Sequence, residues 1–327
     1  MASIEDVAAK AKVSVTTVSR ATNNHPYVSE KTKKKIFKAM EELNYYPNNI
    51  AQQLRGQKTK MIGVMISYIT NPFFAHLVDA IEKKAMELGY HIVILQTQGH
   101  EKLEDFYIDL VPKKQLDGII ITNLETVTPK VQSLIDEGKL VLCNRYIGTE
   151  KLPVIHIDEY ESSYKGTKFL IEKGHKRIGY CTGDVCHPYD RRFKGFLAAL
   201  KEQNIPFIQE DFFEKTLGID GGRMMLRELK KRGTNRPTAI FSNGDEVAAG
   251  IISEARRLEI SVPHDIAVLG FDDHPIASIT YPEITTIKQP IEQMGICSIL
   301  RLTAQIEQRE IPKVPKLQTE IIIRDSV

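Results

Sequence analysis

The sequence predicts an α/β protein in three units: a small helical head, a short connecting helix, and a body of two doubly wound parallel-sheet lobes. Three observations carry that prediction. Formal charge is uneven: residues 1–60 hold 11 Lys/Arg and 5 Asp/Glu, residues 61–327 hold 33 and 37, and the net charge of the 327-residue chain is only +2. The first sixty residues contain three short helical stretches that each follow a serine suited to capping. From Met61 onward, short continuous apolar runs alternate with amphipathic stretches, the pattern of parallel sheets covered on both faces. At about 150 residues per domain, the length fits two or three domains.

Composition excludes several classes. No apolar run approaches the roughly 20 residues that cross a bilayer. The start, Met1-Ala-Ser-Ile-Glu-Asp6, has no apolar secretory core. Cys143, Cys181, Cys186 and Cys297 are too scattered for a disulfide framework, so a reducing cytoplasm is expected. The basic N-terminal end points to nucleic acid, although Lys31, Lys33, Lys34, Lys35 and Lys38 also read as one solvated helix face.

In the head, Ser3 is placed to cap a helix from Ile4 to about Lys12, with Ile4, Val7, Ala8 and Ala11 on one face. Ser14 is placed to cap a second helix, Val15 to Thr22. Val18 and Ala21 turn inward there, leaving Val15, Thr16, Ser19 and Arg20 outside. Two short helices across a tight turn form a helix-turn-helix pattern. Hydroxyls are poor helix formers but good phosphate partners, so the Ser/Thr content of the second helix suits DNA better than water. Ser29 starts a third helix, Glu30 to about Leu43. Residues 49–56 are helix-compatible with Gly56 as a C-cap, but too short to be stable alone.

Asp6-Val-Ala8, Val13-Ser14, Thr17-Val-Ser-Arg20, Asn23, Val28-Ser29, Leu43-Asn-Tyr45, Pro47-Asn48 and Ala51-Gln-Gln-Leu54 together closely resemble the lactose/galactose repressor family of bacterial transcription regulators. The resemblance implies that Val15, Thr16 and Arg20 read bases in the major groove. Arg can fork onto guanine, and a Val or Thr methyl can meet thymine. It implies phosphate or sugar contacts for Ser3, Ser14, Thr17, Ser19, Asn23, Tyr27, Ser29, Thr32 and Asn48. Ser14 and Ser29 would cap as well. Ala51, Gln52 and Leu54 match the minor-groove segment, where Leu54 would wedge open a base step; packing on its own body is the other reading. Tyr45 and Tyr46 read as packing residues.

In the body, the strand-like runs are 62–66, 91–95, 118–121, 140–142, 154–157, 178–181, 239–241 and 266–269. Helical stretches include 74–88, 160–173, 192–202 and 246–258. Eight runs are too many for one sheet. Ligands in such folds sit beyond the carboxyl ends of strands. The residues there are Ser67 to Phe74, Asn144-Arg145, Asp158, Asn243-Gly-Asp245, Phe271-Asp-Asp273 and Gln289, with Arg192 opening a helix. Amides, carboxylates, an Arg and aromatics form the inventory of a sugar site. The resemblance extends here and implies a periplasmic-binding-protein-like effector domain, with Asn71, Phe73, Phe74, Asn144, Arg192, Asp272 and Gln289 as effector contacts. Gly244 departs from the asparagine common before Asp245 in sugar responders. Asp158, Asp245 and Asp273 also read as helix caps, and Phe73 and Phe74 as core anchors.

No phosphate-binding loop, nucleophile elbow or HExxH is present, so no enzyme, cofactor or metal is expected. Cys181, Cys186 and His187 form too weak a ligand pattern. The expected units are 1–46, a hinge at 47–60, and 61–327. The lobes of the body are about 61–160 plus 291–320, and 161–290 plus 321–327. The chain ends at Val327 without a leucine heptad segment, so a homodimer on a pseudo-palindromic operator is expected. The implied function is a repressor controlled by a sugar-like effector. The alternative is a catabolite-control regulator answering a phosphorylated carrier protein, with Arg301 at that interface.

Overall fold

The computed structural model describes residues 2–22, 25–45, 58–146, 152–183, 187 and 190–327. The chain divides into two compact units, Met1–Thr59 and Lys60–Val327, treated separately below. The expected connecting helix at 49–56 lies outside the described residues.

Hydroxyl side chains begin the helices described in the first unit: α1 (Ile4–Ala11), α2 (Val15–Thr22) and α3 (Glu30–Glu42). Ser3 and Asp6 form a reciprocal capping box, with Asp6 N–H donating to Ser3 Oγ at 3.2 Å and Ser3 N–H to Asp6 Oδ2 at 2.8 Å. Thr17 N–H donates to Ser14 Oγ at 3.2 Å and Thr32 N–H to Ser29 Oγ at 3.3 Å. Lys12 turns the chain between α1 and α2 in the left-handed region, at φ 56°. Val7, Ala8, Ala11, Val18, Ala21, Val28, Ile36, Ala39 and Met40 form the core. Only two residues of α2, Val18 and Ala21, are buried.

The second unit holds two sheets. In the first, β1 (Met61–Ile66), β2 (His91–Gln96), β3 (Gly118–Leu124), β4 (Leu140–Tyr146) and β5 (Val154–Ile155) lie in the order β2-β1-β3-β4-β5 and all pair in parallel. The chain then enters α7 (Glu159–Glu172), after α4 (Pro72–Glu87), α5 (Glu101–Ile108) and α6 (Pro129–Asp136). The second sheet contains β6 (Ile178–Cys181), β7 (Phe212–Phe213), β8 (Ala239–Phe241), β9 (Ala267–Asp272), β10 (Thr285–Lys288) and β11 (Glu320–Ile322). Its order is β11-β10-β9-β8-β6-β7, parallel except for β10 with β11. Without the antiparallel strand, both sheets have the doubly wound order 2-1-3-4-5.

Helices α8 (Arg191–Glu202), α9 (Gly218–Lys231) and α10 (Asp245–Arg257) serve the second sheet. Glycine lets α9 and α10 meet backbone to backbone: a Cβ on Gly250 would lie 2.0 Å from Ile219 O, and one on Gly222 would lie 2.1 Å from Val247 O. The last helix, α11 (Ile291–Ile306), follows Pro290 and returns to the first lobe, where it packs on α4, β3 and β4. Strands β1, β3, β6, β8 and β9 are buried almost throughout, as the continuous apolar runs predicted, whereas the edge strands β2, β7 and β11 are half-buried or exposed, and β2 keeps an exposed apolar residue, Ile94.

Candidate functional site

On the head, inward-facing Val18 and Ala21 leave the other face of α2 to solvent. Val15, Thr16, Arg20 and Ser14 are exposed, and Thr17 and Ser19 are half-buried. Val15 is 39% exposed, an uncovered apolar side chain on a polar face. Ser29 and Tyr27 are exposed nearby in sequence, while Thr32 and Ser3 are half-buried. The Tyr27 ring sits 5.3 Å from that of His25. This face combines one guanidinium, methyl groups and hydroxyls, the donors and apolar contacts that duplex DNA accepts. Asn23, Asn48, Ala51, Gln52 and Leu54 lie outside the described residues.

In the body, a cleft of about 470 Å³ opens where the strands of both sheets end. Ser67 follows β1, Asn123 ends β3, Asn144 and Arg145 end β4, Thr182 follows β6, Asn243 follows β8, Asp272 ends β9 and Gln289 follows β10; all line it. Every effector residue expected from the sequence is there: Asn71, Phe73, Phe74, Asn144, Arg192, Asp272 and Gln289. Asn71 caps α4 by accepting Phe73 N–H at 3.0 Å. Phe73 and Phe74 are each 5% exposed, so they are core anchors and cleft wall together.

Polar groups in the cleft are held by one another. Asn144 Nδ2 donates to Asn123 Oδ1 at 3.0 Å, and Asn123 Nδ2 to Ser67 Oγ at 3.0 Å. Arg145 reaches across to Asp190 at 2.5 Å. Arg192 donates to Glu159 Oε1 at 3.0 Å and lies 3.8 Å over the Phe271 ring. Burial opposes the charge of Arg192, but Glu159 and Asp272 outweigh it and hold its pKa up. Arg145, Arg192 and Lys215 face Glu159, Asp190 and Asp272, so the charges of the lining cancel among the described residues. Gln289 Nε2 donates to Asp272 Oδ1 at 2.5 Å, while the buried Gln289 Oε1 has no hydrogen-bond donor among the described residues.

Behind the cleft, Asp245 corrects one sequence reading. It does not cap its helix: Gly244 is the N-cap, and the fully buried Asp245 carboxylate accepts His274 N–H at 2.7 Å and Thr286 Oγ1–H at 2.6 Å. It ties the start of α10 to strand β10 and to the loop after β9. Burial, then the charge of Asp272, push its pKa up to about 7. His274 stacks on His76 of α4 at 5.5 Å and faces Asp272 Oδ2 at 3.2 Å. Burial disfavours its imidazolium, yet Asp272 prevails and raises its pKa. Asp273 is not a cap either; Arg324 donates to it at 2.7 Å. Asp158 does cap, accepting Glu161 N–H at 3.2 Å.

Sequence reasoning missed Asn123, Thr182, Glu159, Asp190, Tyr180, Lys215 and Leu217, which also line the cleft. The rule of reading past each strand finds Asn123 and Thr182 when it is applied to the runs 118–121 and 178–181 as well. Glu159 and Asp190 stand at helix starts, a second place to look. Lys215 and Leu217 follow the two-residue β7, which leaves no apolar run to follow.

Residues 3–48 match the family of bacterial regulatory proteins of lacI type, and residues 167–327 match a periplasmic binding protein-like domain. The NTD biosynthesis operon regulator NtdR of Bacillus subtilis strain 168 is 36% identical over 332 residues, covering all of both chains. The lac repressor dimer bound to operator and the anti-inducer ONPF is similar with TM-score 0.83 and 26% identity, covering 99% of this chain and 98% of that one. A LacI family regulator from Lactobacillus casei with bound sucrose gives TM-score 0.75 and 28% identity, covering 82% and 99%.

The raised Asp245 pKa has a sign. Between about pH 4 and 7 the folded carboxyl keeps a proton that the unfolded chain releases, so stability falls as pH rises, by up to about 1.4 kcal/mol per pH unit. His274 acts in the same direction: its contribution is full below the unfolded value of 6.5 and is lost as pH rises through its raised pKa. In Asp245→Asn the amide oxygen can accept His274 N–H and the NH₂ can donate to Thr286 Oγ1. Urea midpoints from pH 5 to 7.5 should therefore fall less steeply in the variant, the residual slope being the sum over the other shifted groups, His274 among them. Equal slopes would refute a proton on Asp245.

Proposed function

The chain belongs to the lacI family of bacterial regulatory proteins, and on that premise we propose that it is a dimeric repressor whose operator affinity is set by an uncharged, sugar-like effector. One observation carries the effector reading: the carboxyl ends of both parallel sheets converge on one cleft whose charges cancel and whose remaining groups are amides, hydroxyls and aromatic faces. A charged ligand would find no net counter-charge there, whereas vicinal hydroxyls match forked amides and carboxylates. Buried Gln289 Oε1 supports the same reading, since an unmet acceptor costs about 1–3 kcal/mol until a donor such as a hydroxyl reaches it. The sucrose bound by the Lactobacillus casei relative agrees with it.

On DNA, Val15, Thr16 and Arg20 would read base edges, and Ser3, Ser14, Thr17, Ser19, Asn23, Tyr27, Ser29, Thr32 and Asn48 would meet the backbone. Ala51, Gln52 and Leu54 would enter the minor groove, with Leu54 as the wedge. Exposed Met224 on α9, Ile279 and Tyr281 before β10, and Met86 and Ile94 on the first lobe supply apolar surface for a second copy. In such a dimer two heads address two half-sites. Helix α11 begins two residues after cleft-lining Gln289 and spans the first lobe, so a change in the cleft has a rigid element to act on.

The DNA reading is tested with a duplex selected by the full chain from random sequence. Arg20→Ala should weaken binding by about 1–3 kcal/mol and relax preference at one base pair of each half-site, as loss of a bidentate base contact does. Unchanged preference would remove Arg20 from base reading. For the effector, a thermal-shift panel of neutral saccharides and small anions should contain a saccharide that stabilises the protein and whose shift is lost in Arg192→Ala. A panel in which only anions stabilise the protein would overturn the neutral-sugar reading.

A further inference from the structure

The first residue of the body, Lys60, is held in a way its sequence does not explain. Its backbone is left-handed, φ 57°, a conformation lysine rarely adopts. Four contacts keep it there. Its N–H donates to Asp117 Oδ2 at 2.9 Å, and its C=O accepts His91 N–H at 2.8 Å. Its ammonium lies 4.0 Å over the Tyr90 ring and donates to Glu307 Oε1 at 3.1 Å. Tyr90 is fully buried, and its hydroxyl donates to the same Glu307 oxygen at 3.0 Å. Arg309 Nε completes the carboxylate from the other side at 2.8 Å. Lys60, Arg309 and Tyr90 hold the Glu307 pKa down to about 2, so the carboxylate is charged at any working pH.

Two features of position give this clamp a role. Glu307 is the C-cap of α11, the helix that starts beside the effector cleft. Lys60 is the residue through which the chain from the DNA-binding head joins the body. The Lys60 side chain is 44% exposed and that of Glu307 26%, and ion pairs so exposed add little to stability. A strained backbone, an aromatic platform and a doubly bonded carboxylate are more apparatus than a weak surface pair requires.

We propose that Glu307 is a positioning residue for operator binding: by clamping Lys60, it fixes the direction in which the head-bearing segment leaves the body. A fixed exit narrows the volume each head explores. In a dimer this raises the effective concentration of the second head at the second half-site once the first is bound. The clamp therefore acts on two-site binding and leaves the contact of one head with one half-site untouched. The proposal rests on the dimeric reading given above.

The test uses the full-length protein with two duplexes, one carrying the in vitro-selected two-half-site sequence and one a single half-site. Glu307→Gln keeps the shape but loses the charge, and Lys60→Met breaks the clamp from the other side. Each should weaken two-site binding by about 10-fold, with single-site affinity unchanged and the melting temperature within a few degrees of wild type. Lys60→Arg should retain two-site affinity, and the double variant Lys60→Met/Glu307→Gln should be no worse than either single one. A two-site preference that survives intact in both single variants overturns the proposal alone. So does an equal loss on both duplexes accompanied by a lower melting temperature, which would make the clamp merely structural. Wild-type protein that binds both duplexes equally overturns the proposal together with the dimeric reading.

Discussion

The body depends on one constraint: parallel strands must all end on the same side, and two sheets of the same order turn those ends toward a common gap. The loops at such ends cannot be apolar, because backbone and side-chain polar groups there are only partly covered. The sequence supplies Asn, Ser, Thr, Asp and Gln at each end, and they bond to one another across loops. Strain is stored at the same place. Asp272 has φ 103°, Asp273 φ 60° and Asn144 φ 78°, all held by the surrounding hydrogen bonds. Strained, over-determined residues at the mouth of a cleft are a mark of binding sites.

Charge in the gap is arranged in pairs that join different elements. Arg145, from the end of β4, meets Asp190, the N-cap of α8, so one pair ties the first lobe to the second. Arg192 meets Glu159, joining α8 to α7, while its flat guanidinium covers Phe271. Paired charges in a partly buried gap are the basis of the neutral effector proposed above. Asp245 lies one layer deeper. A Cβ on Gly270 would stand 2.1 Å from its Oδ1, so glycine at that position makes room for the carboxylate.

Much of this was legible in the sequence, for physical reasons. Buried parallel strands are short, continuous apolar runs, so 178–181 and 239–241 could be bounded to the residue. Helix starts in the head were legible because Ser3, Ser14 and Ser29 cap locally, within three residues. The expected cleft residues followed from the rule that ligands sit past strand ends, joined to the family resemblance. What stayed hidden depends on tertiary contact. The role of Asp245 is set by His274 and Thr286, 29 and 41 residues away. The bond between Lys60 and Glu307 spans 247 residues, and neither residue carries a local signal of it. Short strands such as β7 and β11 borrow their conformation from neighbours and have no periodicity of their own.

The central claim is that cleft occupancy and DNA affinity are linked, and reciprocity tests it most directly. The affinity of the selected duplex is measured with and without a saturating saccharide that binds the cleft. The affinity of that saccharide is then measured with and without the duplex. The account predicts that both change by one and the same factor, typically about 5- to 150-fold. A saccharide that binds the cleft and leaves duplex affinity unchanged would contradict it.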